Sequence, residues 1–181
     1  MKKIVITGGL GYIGTELCKI YSGYSWNDKI IVIDNRFISE RVNQLRNWNI
    51  EFIHGDILDK DLIHKHCSNA DIVHHLAGIT DVPRVKSEAN AEHEKKIEEV
   101  AIKGTQNIID SIKDDCKIIL PSTHVVYEGM QDVKKDILEN EDTLPVLAYG
   151  KSKAYNEKQL KKSGKNFIIL RLGSVYGYST D

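Results

Sequence analysis

The chain has 181 residues, a formal net charge of −1, and 28% charged against 41% hydrophobic residues. That balance fits one well-buried globular core and leaves no basic block for nucleic acid or a membrane surface. Cys18, Cys67 and Cys116 form no CxxC pair and no stretch approaches the roughly 20 apolar residues of a membrane span, so zinc, thiol-redox and transmembrane readings fall away and a reducing cytoplasm is expected.

The N-terminal MKKIVITGG is basic and then apolar, but glycines break the run early, so it reads as a first strand over Lys3–Thr7 rather than a leader. Thr7-Gly-Gly-Leu-Gly-Tyr-Ile-Gly14 follows, and a helix is predicted from Tyr12 to Ser22 with Leu17, Ile20 and Tyr21 on one side. Glycines at 8, 11 and 14 allow a tight turn, close approach of a pyrophosphate to the backbone, and close packing of helix on strand. The helix N-terminus adds free N–H groups and a positive dipole end. The second strand, Lys29–Asp34, ends on Asp34, 20 residues past Gly14, where a carboxylate can accept from the adenosine ribose hydroxyls. Such a carboxylate repels a 2′-phosphate and favours NAD, although Arg36 nearby can accommodate that phosphate.

The third strand, Ile50–His54, leads to Gly55-Asp56-Ile57, where Asp56 can reach the adenine amino group. His64 and His66 lie in a polar helix and are expected to be solvated; Trp26 and Trp48 are expected to pack. The fourth strand, Asp71–Leu76, closes in Leu76-Ala77-Gly78, small residues that let backbone approach a ligand. Its His74 and His75 alternate, so one faces the core and the other solvent or a helix. The longest helix spans Ala89–Ile112 with Ile97, Val100, Ile108, Ile109 and Ile112 as its stripe. The fifth strand, Lys117–Leu120, ends in Pro121-Ser122-Thr123; His124–Leu147 reads as a long loop; Tyr149–Lys162 is a helix; and Asn166–Leu170 is a sixth strand. About six strands alternating with helices, several of them continuously apolar, predict an α/β doubly wound parallel sheet of Rossmann-like form, with residues 1–181 as one dinucleotide-binding domain.

Thr123, Tyr149 and Lys153 fall downstream of the glycine turn in the order that a hydride-transfer site needs. Tyr149 is the only tyrosine with a lysine four residues on, which puts both side chains on one helix face. Oxidising a secondary alcohol requires a base for the hydroxyl proton, and a free phenol near pKa 10 is a poor one at neutral pH. A lysine ammonium beside it favours the phenolate; a lowering by about three units corresponds to roughly 4 kcal/mol. Thr123 would hold the substrate oxygen, and Lys153 could also bond the nicotinamide ribose.

TGGLGYIG, IVIDN, HGDILD, HHLAG, STHVVY, AYGKSK and LRLGSVYG occur in an order that resembles the extended short-chain dehydrogenase/reductases, the NAD-dependent epimerase/dehydratase group. The look is nearest to UDP-glucose 4-epimerases. The resemblance implies Gly8, Gly11, Tyr12, Ile13 and Gly14 at the pyrophosphate, Asp34 and Asn35 at the adenosine ribose, and Asp56 and Ile57 at adenine. It implies Thr123, Tyr149 and Lys153 as the catalytic trio, NAD as cofactor and a UDP- or dTDP-sugar as substrate. It further implies a homodimer through the helices near 89–112 and 149–162. The 4,6-dehydratases follow the catalytic Thr with Asp-Glu, whereas His124 and Val125 stand here, so dehydration is disfavoured. Thr80 occupies the place of an epimerase lysine, Ala101 and Ser174 those of two family asparagines. Family members are longer, so the chain is expected to lack most of the C-terminal substrate domain, as a fragment or truncated form. The expected function is NAD-dependent sugar-nucleotide epimerisation. The alternatives are a sugar-nucleotide reductase or dehydrogenase, or an NAD-binding remnant without turnover.

Overall fold

A computed structural model describes residues 1–24, 27–80, 90–131 and 136–177. The elements alternate strictly: β1 (Lys3–Thr7), α1 (Tyr12–Tyr24), β2 (Lys29–Asp34), α2 (Ser39–Asn47), β3 (Glu51–His54), α3 (Lys60–Cys67), β4 (Ile72–His75), α4 (Ala91–Ser111), β5 (Lys117–Thr123), a 3₁₀ turn (His124–Tyr127), α5 (Ala148–Lys162) and β6 (Asn166–Leu172). The six strands form one parallel sheet in the order β3-β2-β1-β4-β5-β6. The order reverses between β1 and β4, and a crevice outside the C-terminal strand ends is expected at that switch point.

The central strands β1 and β2 are apolar because both faces are covered, whereas β6 is covered on one face and exposes Ile168 and Leu170 on the other. On one side Val5, Ile31, Ile33, Val73, Ile118 and Leu120 pack with Ile63, Ile108, Ile109 and Leu160 of α3, α4 and α5. On the other, Ile4, Ile6, Ile30 and Val32 pack with Cys18, Val42 and Leu45 of α1 and α2, and Trp48 packs against this cluster as expected. Trp26 lies outside the described residues.

Two expectations need correction. Ile20 is 56% exposed, because the buried side of α1 is Gly14, Thr15 and Cys18, with Leu17 and Tyr21 beside it. His74 and His75 point to opposite faces, as expected, and each meets a helix. The His74 ring meets the Tyr21 hydroxyl of α1 at 2.7 Å, and His75 sits between Thr7 at 2.9 Å and Thr105 of α4 at 3.0 Å. Burial pushes both imidazoles down, to about 4 and about 3, so they stay neutral. Second, β5 runs on through Pro121, Ser122 and Thr123. Its pairing with β4 stops at Ile119 while its pairing with β6 continues to Thr123. Proline is tolerated where the ladder on one side has ended.

Candidate active site

Within the glycine turn each glycine has its own reason. Gly8 has φ +70°, and a Cβ on it would lie 2.6 Å from the Ala77 nitrogen at the end of β4. A Cβ on Gly14 would lie 2.6 Å from the Gly9 Cα, so α1 could not pack on the turn. Gly11 differs: its nearest obstacle, the Gly8 carbonyl, is 3.1 Å away, and it lines the cleft. The turn is also clamped from below. Leu10 donates its N–H to Asp34 Oδ2 at 3.0 Å, and its carbonyl accepts from the buried Arg41 guanidinium. The first N–H groups of α1, Tyr12 to Gly14, have no helical carbonyl to meet, and all three residues face the cleft.

That cleft, about 900 Å³, crosses the C-terminal edge of the sheet. Every cofactor-binding or catalytic candidate read from the sequence lines it: Gly8, Gly11, Tyr12, Ile13, Gly14, Asp34, Asn35, Asp56, Ile57, Leu76, Ala77, Gly78, Thr123, Tyr149 and Lys153. Thr80 lines it too, with Arg36 and, from α4, Lys96 and Glu99. The volume is at the upper end of the range for small-molecule sites, and a backbone cradle at one end fits a group whose phosphates must touch main chain.

Asp34 is almost fully buried and fully engaged. Oδ1 accepts from the Arg36 N–H at 3.0 Å and Arg36 Nε at 3.1 Å; Oδ2 accepts from Leu10 and from Arg36 Nη2 at 3.1 Å. Asp56 accepts from Asn35 Nδ2 and the Leu58 N–H, each at 2.9 Å. Asp34 is therefore part of the turn's scaffold as well as a cleft residue.

At the far end α5 is tied to the sheet by a line of side chains one turn apart. Lys153, 8% exposed, donates from Nζ to the Pro121 carbonyl at 2.9 Å, at the point where β4 has left off. Glu157 accepts from Ser122 Oγ at 2.5 Å and pairs with Arg171 of β6 through Nε at 3.0 Å and Nη2 at 2.6 Å. Arg171 reaches on to the Tyr127 hydroxyl and the Glu139 carbonyl. The helix start is held by Glu128, whose carboxylate accepts from the Val146 and Leu147 N–H groups, both at 2.6 Å. Gly150 fits under this cap, since a Cβ there would sit 3.1 Å from Pro145 and 3.2 Å from the Val125 carbonyl.

Thr123 caps the 3₁₀ turn, accepting from the Val125 N–H at 3.2 Å. His124 is exposed, with Nδ1 at 3.3 Å from the Leu172 carbonyl, and neither it nor Val125 lines the cleft.

The electrostatics correct one expectation. Lys153 Nζ lies 5.9 Å from the centre of the Tyr149 ring, yet burial pushes the Tyr149 phenol up rather than down. The ammonium is turned to Pro121 and is itself pushed down to about 8 by burial. Lys153 alone therefore does not bring the Tyr149 phenol down. Among the described residues no cluster of His, Cys, Asp and Glu could hold a metal ion, and no helix is long and apolar enough to cross a membrane.

Sequence reasoning missed the Glu128 cap and the Ser122–Glu157–Arg171 network. Glu157 had a signal: it continues the four-residue spacing of Tyr149 and Lys153 along one helix face.

Known proteins agree with this architecture. A dTDP-D-glucose 4,6-dehydratase of Dictyostelium discoideum is 32% identical over 98% of this chain and 44% of its own length. The structure of a UDP-N-acetylglucosamine 4-epimerase from Methanobrevibacter ruminantium, in complex with UDP-N-acetylmuramic acid, is 28% identical with a TM-score of 0.76, covering 94% of this chain and 54% of that one. A UDP-glucuronic acid 4-epimerase from Bacillus cereus in complex with NAD is 25% identical with a TM-score of 0.76, covering 97% and 57%. The chain thus spans about half the length of these relatives. The model of the NAD dependent epimerase/dehydratase family matches residues 4–181, and the chain belongs to that family.

Proposed function

We propose that this chain is the cofactor-binding part of an NAD-dependent enzyme that epimerises a sugar nucleotide, with Tyr149 as the proton-transferring base. The observation that carries the reading is the shared cleft: a backbone cradle for phosphates at one end, and Thr123, Tyr149 and Lys153 at the other. NAD, when bound, supplies a hydride acceptor and the positive charge of its oxidised ring. Gly11 and the first turn of α1 would hold its pyrophosphate, and Asp34 and Asn35 its adenosine ribose. Asp56 and Ile57 would meet adenine, and Leu76, Ala77 and Gly78, which line the same cleft, would contact the dinucleotide between its ends.

Tyr149 Oη would take the sugar hydroxyl proton as the carbon loses hydride, and return it after the hydride comes back to the other face. Thr123 Oγ1 would orient the substrate hydroxyl. Lys153 holds its ammonium 5.9 Å from the centre of the Tyr149 ring, and its charge counts more in a partly dry cleft than in water. Dehydration is disfavoured because His124 and Val125 stand where acid and base would be needed and neither lines the cleft.

A UDP- or dTDP-sugar is the proposed substrate, and the helices α4 and α5 the proposed homodimer surface. The test is direct. Purified chain is expected to carry or take up NAD, detected by mass spectrometry, and to interconvert UDP-glucose and UDP-galactose. NAD without interconversion would remove the epimerase reading for this chain and leave a cofactor-binding module. Net NADH consumption with a keto-sugar nucleotide would replace epimerisation by reduction.

A further inference from the structure

We infer that His75 is a positioning residue: it carries a one-way chain of hydrogen bonds through the core, from the end of β4 that faces the cleft to the helix that bears Tyr149 and Lys153. The inference rests on the cofactor and base roles proposed above and adds what holds the two in register. His75 is buried in β4 and does not line the cleft. Its ring bridges Thr7 of β1, at 2.9 Å from Nδ1, and Thr105 of α4, at 3.0 Å from Nε2. Both threonines are almost fully buried.

The direction of the chain follows from counting protons. Asn156 of α5, also buried, has three acceptors at one end of its amide: the Ala101 and Ser152 carbonyls, each at 3.2 Å, and Gln159 Oε1 at 3.3 Å. Its nitrogen belongs there, so its oxygen faces Thr105 Oγ1 at 3.0 Å. A hydroxyl has one proton to give. Thr105 gives it to Asn156, so His75 Nε2 carries a hydrogen and donates to Thr105. Burial first, and the Lys153 ammonium second, hold the ring neutral. Nδ1 is therefore bare and accepts from the Thr7 hydroxyl, which itself accepts from the Ala77 N–H at 3.3 Å. In this direction every member is satisfied. The opposite tautomer would leave Thr105 with two acceptors to serve and one proton.

The two ends of the chain belong to the two ends of the cleft. Ala77 lines the cleft, and its nitrogen is the atom that a Cβ on Gly8 would strike. Thr7 directly precedes Gly8. At the other end Asn156 holds the carbonyl of Ser152, which directly precedes Lys153, and the Ala101 carbonyl of α4. The chain thus ties α5 and α4 to the ends of β1 and β4, and so sets where Tyr149 and Lys153 stand relative to the cofactor cradle. An apolar side chain at position 75 would fill the space without fixing that register, and would strand two buried hydroxyls.

The experiment begins with long-range proton–nitrogen correlation spectra of the chain isotope-labelled at histidine, with the His75 ring assigned by its loss in His75→Gln. The spectrum is expected to show Nε2 protonated and Nδ1 bare. NAD titration and sugar-nucleotide turnover are then measured for His75→Asn, His75→Gln and Thr105→Val, with melting temperatures as a folding control. The Asn amide reaches Thr7 but stops short of Thr105; the Gln amide reaches Thr105 but gives up Thr7. Each leaves a buried group unpaired, which should weaken the function at that end by roughly ten- to a hundredfold. His75→Asn is therefore expected to lower kcat and spare NAD affinity, and His75→Gln to lower NAD affinity and spare kcat. Thr105→Val, which keeps the shape and removes the middle hydroxyl, should behave as His75→Asn does. An Nδ1–H tautomer or a charged ring overturns the inference. So does a parallel fall of kcat, NAD affinity and melting temperature in all three variants, the mark of a residue that only packs. Wild type that neither binds NAD nor turns over a sugar nucleotide overturns instead the reading on which the inference rests.

Discussion

At the β1–β2 end of the cleft the shape is set by main chain, whereas at the β5–α5 end it is set by side chains reaching across the fold. The first end works by exclusion: Gly8 and Gly14 are glycine because a Cβ would strike backbone at 2.6 Å. The second works by attachment: Lys153 to the Pro121 carbonyl, Glu157 to Ser122 and Arg171, Glu128 to the start of α5. A backbone cradle has a fixed shape and needs no titration state. A side-chain frame carries charge into the cleft and depends on protonation. The lesson is that binding and chemistry in one cleft can fail separately, and the predictions exploit that.

The largest effect expected is that of Tyr149→Phe. It removes the proposed base, so turnover should fall by about 10²- to 10⁴-fold, while NAD affinity, measured by titration, stays within about twofold. Unchanged turnover would remove Tyr149 from the mechanism. Next comes Glu157→Ala, which leaves Arg171, 11% exposed, without its carboxylate. Breaking a buried pair by removing one partner costs about 3–5 kcal/mol, to be read from urea unfolding. A loss below about 1 kcal/mol would mean that the network does not hold α5. Gly8→Ala places a side chain at φ +70° and against Ala77. Strain of this kind costs about 1–3 kcal/mol, and both stability and NAD binding should drop together.

The smallest effect is a pH signature of Lys153. Its ammonium is pushed from the ordinary 10.5 to about 8 in the folded chain. Between those values the unfolded chain holds more protons, so this group makes stability rise with pH. From pH 7 to pH 9 wild type should gain about 1 kcal/mol relative to Lys153→Met. The buried thiols of Cys18 and Cys67, pushed up to about 12, act in the opposite sense but equally in both proteins. Parallel pH curves for the two proteins would contradict the buried-ammonium account.

The two ends also differ in how much of them could be read from the sequence. The glycine turn is local: four glycines within seven residues, a strand before and a helix after, with Asp34 at the next strand end. Steric exclusion leaves its mark on consecutive residues, so β1, α1 and β2 were legible almost to the residue. Alternation of apolar strands and helices likewise gave the parallel sheet. The chemical end depends on contacts between residues far apart in sequence, such as Ser122 with Glu157 and Tyr127 with Arg171. Nothing in the local pattern states which carboxylate meets which guanidinium. The Tyr149–Lys153 spacing was visible, but the direction of the phenol's shift was not, because burial outweighed the neighbouring charge. Ile20 shows the same limit on a smaller scale: Leu17 and Tyr21 of that helix side do pack on the core, but Ile20 is left exposed and the small Gly14, Thr15 and Cys18 are the buried residues.

The most direct test of the account is a titration of NAD into wild type and Gly11→Ala. Gly11 is the cradle glycine whose Cβ would meet the Gly8 carbonyl at 3.1 Å and Arg36 Nη2 at 3.7 Å, with the cleft beyond. The account predicts saturable NAD binding by wild type and at least a tenfold loss in Gly11→Ala, with little change in melting temperature. Binding of NAD with equal affinity by both proteins, or by neither, would contradict it.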